Sequence, residues 1–74
     1  MSIYIEKNRK TKELIQTSFI QILEKKSFES TTVGDIAKHA QINRGTFYLH
    51  FIDKFDLLDQ IEQQLFEDLG NHID

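Results

Sequence analysis

Seventy-four residues, 39% hydrophobic and 28% charged, with no cysteine and no proline, describe one small domain near the lower size limit at which a core sustains itself. That composition excludes a disulfide framework, a thiolate metal site and disorder, and no apolar run approaches membrane-spanning length. The formal charge of −3 argues against nucleic acid until it is mapped: residues 1–54 hold all nine Lys and Arg against six acids, whereas residues 55–74 hold six acids and no base. A positive part able to face phosphate is therefore joined to an acidic part that has to point away from it. Met1 to Lys7 carries neither a charged lead-in nor a long apolar stretch, so no secretory signal is expected and a cytoplasmic location is.

The first periodic segment runs from Glu6 to Lys26. Ile15, Phe19, Ile22 and Leu23 fall on one helical face with Leu14 beside it, and Lys25 and Lys26 in the last turn complement the helix dipole. Lys7, Arg9, Lys10 and Lys12 cluster at the other end, as phosphate contacts or as a solvated helix start. Ser27 to Ser30 reads as a turn from which Phe28 tucks back into the core.

A short second helix starts after Thr31 or Thr32, either of which can cap it, with Asp35 completing a weak capping box. Ile36, Ala37 and Ala40 form its buried edge, and the alanines let another helix approach closely. His39 falls on its outer face with no role expected. Ala40 to Asn43 then makes a tight connection, giving a helix-turn-helix pattern.

Asn43 caps a third, very short helix by accepting from the N–H of Gly45 or Thr46. Phe47 and Phe51 point inward together, which leaves Arg44, Gly45, Thr46, Tyr48 and His50 on an outer face that is small, polar, aromatic and basic. A DNA major groove admits a helix of this kind. Asp53, with Asp56 three residues on, caps a fourth helix whose first residue is Lys54. Its stripe of Leu57, Leu58, Ile61, Leu65, Leu69 and Ile73 outruns any partner in these residues, so a continuing chain or a subunit interface is expected to cover Leu65, Phe66, Leu69 and Ile73.

Thr31-Thr32-Val33-Gly34-Asp35-Ile36-Ala37, then Ile42 to Phe51 with its Gly-Thr-Phe-Tyr-x-His-Phe core, then Asp53-Lys54-Phe55-Asp56-Leu57-Leu58, resembles the amino-terminal domain of TetR/AcrR-type transcriptional regulators over residues 8 to 60. The resemblance implies an all-α fold: a three-helix bundle with a homeodomain-like helix-turn-helix over residues 1–53, and a connecting helix over 54–74. That helix leads to a larger domain outside these residues. The resemblance also implies a homodimer formed through that domain, a palindromic double-stranded DNA operator, and a repressor released by a small-molecule effector bound there. No cofactor and no membrane partner is implied. Ser27 and Gln41 stand at turn positions where the family often has glycine, and a non-glycine residue at positive φ carries a cost. Phe55 replaces a common acidic residue and stands on the first turn of the fourth helix either as a packing contact, the favoured reading, or as an exposed apolar spot.

Residue by residue, Arg44 can offer a bidentate donor pair to guanine or clamp a phosphate, and Gly45 lets backbone come close to DNA. Thr46 can meet a thymine methyl or a phosphate, or bond back to Asn43. Leu49 can lean on the core or meet thymine methyls. The resemblance implies DNA contacts for Tyr48, through its hydroxyl, and for His50, to a phosphate. Lys54 adds charge at a helix N-terminus, and Thr31 and Thr32 offer a hydroxyl and exposed N–H groups to phosphate.

No nucleophile with a base, acid pair or metal cluster points to an enzyme; His50 with Asp53 is too small a set for a metal. The rival reading is a helical protein-interaction module that grips a partner with the acidic, amphipathic helix 54–74.

Overall fold

A computed structural model describes the backbone of residues 3–72 and the side chains of residues 8–67. Four helices follow one another: α1 (Ile3–Leu23), α2 (Val33–Ala40), α3 (Arg44–His50) and α4 (Lys54–His72), with no strand among the described residues. The chain is all-α, and its first three helices together with the start of the fourth enclose a core of Ile15, Phe19, Ile22, Ile36, Phe47, Phe51 and Leu57. Full burial of a side chain of this size contributes about 1.5–3 kcal/mol, so these few residues carry most of the stability.

α1 ends at Leu23, three residues before the expected end, and has no basic residue in its last turn. The chain tightens there, because Lys25 and Lys26 both donate their N–H to the Ile22 carbonyl, at 2.9 and 3.0 Å. Lys26 consequently leaves the helix axis and pairs with Asp35 of α2 at 3.0 Å instead of serving the α1 dipole. Leu14 is nearly half exposed, so it lies off the buried face.

Ser27 does not have a positive φ; among the described non-glycine residues only Gln41 does. Ser27 bends the chain with its hydrogen bonds: its Oγ accepts from the Ser30 N–H at 3.2 Å, and its carbonyl accepts from the Thr31 hydroxyl at 2.8 Å. Phe28 is half-buried as expected and meets Phe19 edge-on at 6.0 Å.

Thr32, not Thr31, caps α2. Its Oγ1 accepts from the Asp35 N–H at 3.0 Å, and Asp35 Oδ2 accepts from the Thr32 N–H at 3.1 Å, a complete capping box. After eight residues the helix stops at Gln41, held at φ 60° in the left-handed region. Ile42 N–H bonds to the Ala37 carbonyl and Gln41 N–H to that of Lys38, the paired bonds of a Schellman ending, while Ile42 packs onto the core.

α4 begins with Asp53 Oδ1 accepting from the Asp56 N–H at 2.8 Å, and Asp56 Oδ2 accepts from the Ile52 N–H at 2.9 Å. Leu57, Leu58 and Ile61 meet the core, but Leu65 and Phe66 are 57% and 75% exposed, so the three preceding helices cover only the first half of the stripe. The side chains of Lys7, Leu69 and His72, and all of Ile73, lie outside the described residues.

Candidate nucleic-acid interface

The short third helix is fixed from within and capped from without. Phe47 and Phe51 are buried, their ring centroids 5.6 Å apart, so one face of α3 is committed to the core. Asn43 Oδ1 accepts from the Thr46 N–H at 2.8 Å, which selects Thr46 over Gly45 as the capped donor. A helix of seven residues cannot hold its own shape in water, so this cap and these two rings determine where its outer face points.

That outer face carries Arg44 and Gly45, both exposed, Tyr48 at 53% exposure and Leu49 at 82%. Leu49 therefore does not lean on the core. Thr46 and His50 are half-buried, and the Thr46 hydroxyl lies 3.1 Å from Asn43 Oδ1, so its proton serves the cap and only its oxygen and methyl remain to a ligand. The Tyr48 ring stands edge-on to Phe47 at 5.4 Å with its body outside, an orientation that leaves the ring half in solvent.

Arg44 joins α3 to α2. Its guanidinium lies over the first turn of α2, so close to Gly34 that a Cβ built there meets Nη2 at 3.3 Å and Nε at 3.5 Å. Gly34 was not legible as part of the site, although a glycine inside an eight-residue helix, costing about 1 kcal/mol against alanine, is a signal of close approach. The consequence is one continuous surface: the exposed Thr32 cap, the Arg44 guanidinium, and the outer face of α3. Gly45 has an internal reason to be small as well, since a Cβ there meets Asn43 Oδ1 at 3.2 Å.

Two of the expected phosphate contacts take other roles. Thr31 is 1% exposed and its hydroxyl is spent on the Ser27 carbonyl, so burial removes it from the surface. The Lys54 ammonium donates to the carbonyls of Phe28 at 2.6 Å, Thr31 at 2.9 Å and Glu29 at 3.3 Å, which occupies all three of its protons. It also lies 4.4 Å from the Phe28 ring centre, and Phe28 in turn meets Phe55 edge-on at 5.1 Å. Phe55 thus touches Phe28 along one edge while 64% of it stays exposed, so both readings of it hold in part.

The charge around this surface is uneven. Arg9 and Lys10 are exposed on α1, while Lys12 is half-buried with its ammonium 5.7 Å from the Phe51 ring centre. Asp35 is balanced locally: the Lys26 ammonium hydrogen-bonded to it, and next the Thr32 N–H, hold its carboxyl below the usual 3.8. His39 is exposed on α2. Among the described residues no group of three or more His, Cys, Asp or Glu is placed to hold a metal ion, and no helix is long and apolar enough to cross a membrane.

Comparison with known proteins matches residues 20–61, more than half of the chain, to the family described as bacterial regulatory proteins, tetR family. Two uncharacterised HTH-type transcriptional regulators of Bacillus subtilis are similar: YxbF, 32% identical over 65 residues, covering 86% of this chain and 17% of its own length, and YerO, 45% identical over 51 residues, covering 69% and 17%. The HTH-type transcriptional regulator AcrR of Shigella flexneri is 36% identical over 53 residues, 72% of this chain and 25% of its own. The chain thus spans between a sixth and a quarter of the length of these relatives. No solved structure gives a significant match.

Proposed function

The chain belongs to the tetR family of bacterial regulatory proteins, whose members regulate transcription through DNA, and we propose that it reads a specific duplex sequence by laying α3 in the major groove. The observation that carries this reading is the joint surface of Thr32, Arg44 and the outer face of α3, because a groove-reading helix needs phosphate contacts beside it to set its register. Thr32 and the first N–H groups of α2 meet a phosphate; Arg44 meets guanine or the backbone; Gly45 admits the duplex; Tyr48, Leu49, Thr46 and His50 fill the groove and its rim.

The distal half of α4 leads, in this reading, to a carboxy-terminal domain that holds two copies on a palindromic operator. A small molecule bound there releases the DNA, so the whole protein acts as a repressor in the cytoplasm. The exposure of Leu65 and Phe66 and the greater length of the relatives support this arrangement. The same exposed residues also suit α4 to gripping a protein partner, which is the rival function. Salt separates the two: affinity for a duplex falls steeply with salt, by a slope of about 0.9 for each phosphate neutralised. A fluorescently labelled duplex titrated with the chain at several salt concentrations tests the proposal, and binding without salt dependence, or none at low salt, rejects it.

A further inference from the structure

We infer that Leu49 reads the 5-methyl group of a thymine on the floor of the major groove, and so sets the base preferred at one position of the site. The inference deepens the DNA-binding reading above and rests on it. Leu49 is 82% exposed, more than any other large hydrophobic side chain among the described residues. Its direction is set by the core: at about 100° per helical residue it stands about 180° from the bisector of Phe47 and Phe51, the two buried rings that face inward. No other residue of α3 points so directly away from the core.

The neighbours of Leu49 leave its carbon atoms alone at the tip of that face. A helical side chain leans toward the N-terminus and covers the preceding turn, and the residue one turn back is Gly45, which has no side chain to share the space. The groups able to hydrogen-bond are engaged to either side: Arg44 over the first turn of α2, Thr46 with its proton on Asn43, and Tyr48 edge-on to Phe47. Leucine itself has no donor or acceptor. Every base pair presents donors and acceptors along the major-groove floor, and the thymine methyl is the apolar group among them. Against a polar base edge Leu49 strips water without replacing its hydrogen bonds; against the methyl it buries carbon on carbon. One side chain thus favours thymine and penalises the alternatives.

The test uses the 74-residue chain and a duplex that it selects from a random pool. Each thymine of that duplex is replaced in turn by deoxyuridine, which removes the methyl and keeps the base pair with its hydrogen-bonding edge. At one thymine the exchange is expected to weaken binding about fourfold, the transfer of one methyl group at about 0.8 kcal/mol. Leu49→Ala, at a site where no core contact is lost, is expected to abolish that difference. Ile52→Ala, at a position 78% exposed just past α3, is expected to keep it. Equal affinity of the wild type for every deoxyuridine duplex overturns the inference. So does a Leu49→Ala protein that prefers thymine by the same factor, or an Ile52→Ala protein that loses the preference. Failure of the DNA reading is seen separately, as a pool in which no sequence is enriched and backbone amides of residues 44–50 that respond to no duplex.

Discussion

Two adjacent threonines with the same side chain are assigned opposite roles, and replacing each with valine separates them. Valine keeps the shape and suits the extended backbone at Thr32, φ −113° and ψ 162°, so the hydroxyl is the only loss. At Thr31 the lost bond is the 2.8 Å contact to the Ser27 carbonyl, which keeps the Ser30 hydroxyl as a donor at 3.1 Å. The expected cost is about 1 kcal/mol or less, with duplex affinity unchanged. At Thr32 the lost bond is the cap on the Asp35 N–H, which costs about 1 kcal/mol and up to about 2. In a domain of this size each kcal/mol lowers the melting temperature by roughly 4–8 °C, within reach of thermal circular dichroism. Thr32→Val is also expected to weaken duplex binding, because the hydroxyl and the ordered first turn of α2 are lost together. A Thr31→Val protein that melts like the wild type but binds DNA less well would refute the reasoning, since a buried hydroxyl has no route to a phosphate.

The capping box sets a pH dependence. The Asp35 carboxyl is held below 3.8 in the folded chain, so its contribution is complete above 3.8 and is lost as pH falls through the lowered value; the Thr32 amide shift, followed by NMR, should titrate with a midpoint below 3.8. Gln41→Gly relieves the left-handed residue at the end of α2 and is expected to raise stability by about 1 kcal/mol in denaturant melts. Arg44→Ala is expected to lower affinity and, in selection from a random duplex pool, to relax preference at one base pair, a loss of about 1–3 kcal/mol of discrimination. Gly45→Ala gains helix propensity but crowds the Asn43 cap, so stability should change little while duplex binding falls.

Local chemistry made much of this chain legible. Asn43 and Asp53 each announce a helix start, and the apolar spacing within the helices marks Ile15, Phe19, Ile36, Phe47, Phe51 and Leu57 as core, all of which are buried. Gln41 in a turn could be suspected of positive φ because the position demands it. What stayed hidden were bonds between segments distant in sequence. Lys54 reaches carbonyls more than twenty residues away, a contact that leaves no mark in spacing or propensity, and Arg44 crosses to another helix at Gly34, whose poor helix propensity marks a close approach without naming the partner. Thr31 and Thr32 were indistinguishable for a related reason, since both are good caps and only the packing of the turn on the core buries one of them. The end of α1 was misplaced because Lys25 and Lys26 favour a helix C-terminus in general, while here the Lys26 ammonium has a better partner in Asp35.

Amide shift mapping of the nitrogen-15-labelled chain against a short duplex tests the joint surface of α2 and α3 most directly. Changes are expected at residues 32–34 and 44–50, growing as salt is lowered. Changes confined to α4, or the same changes at every salt concentration, would contradict the claim that α2 and α3 together meet DNA.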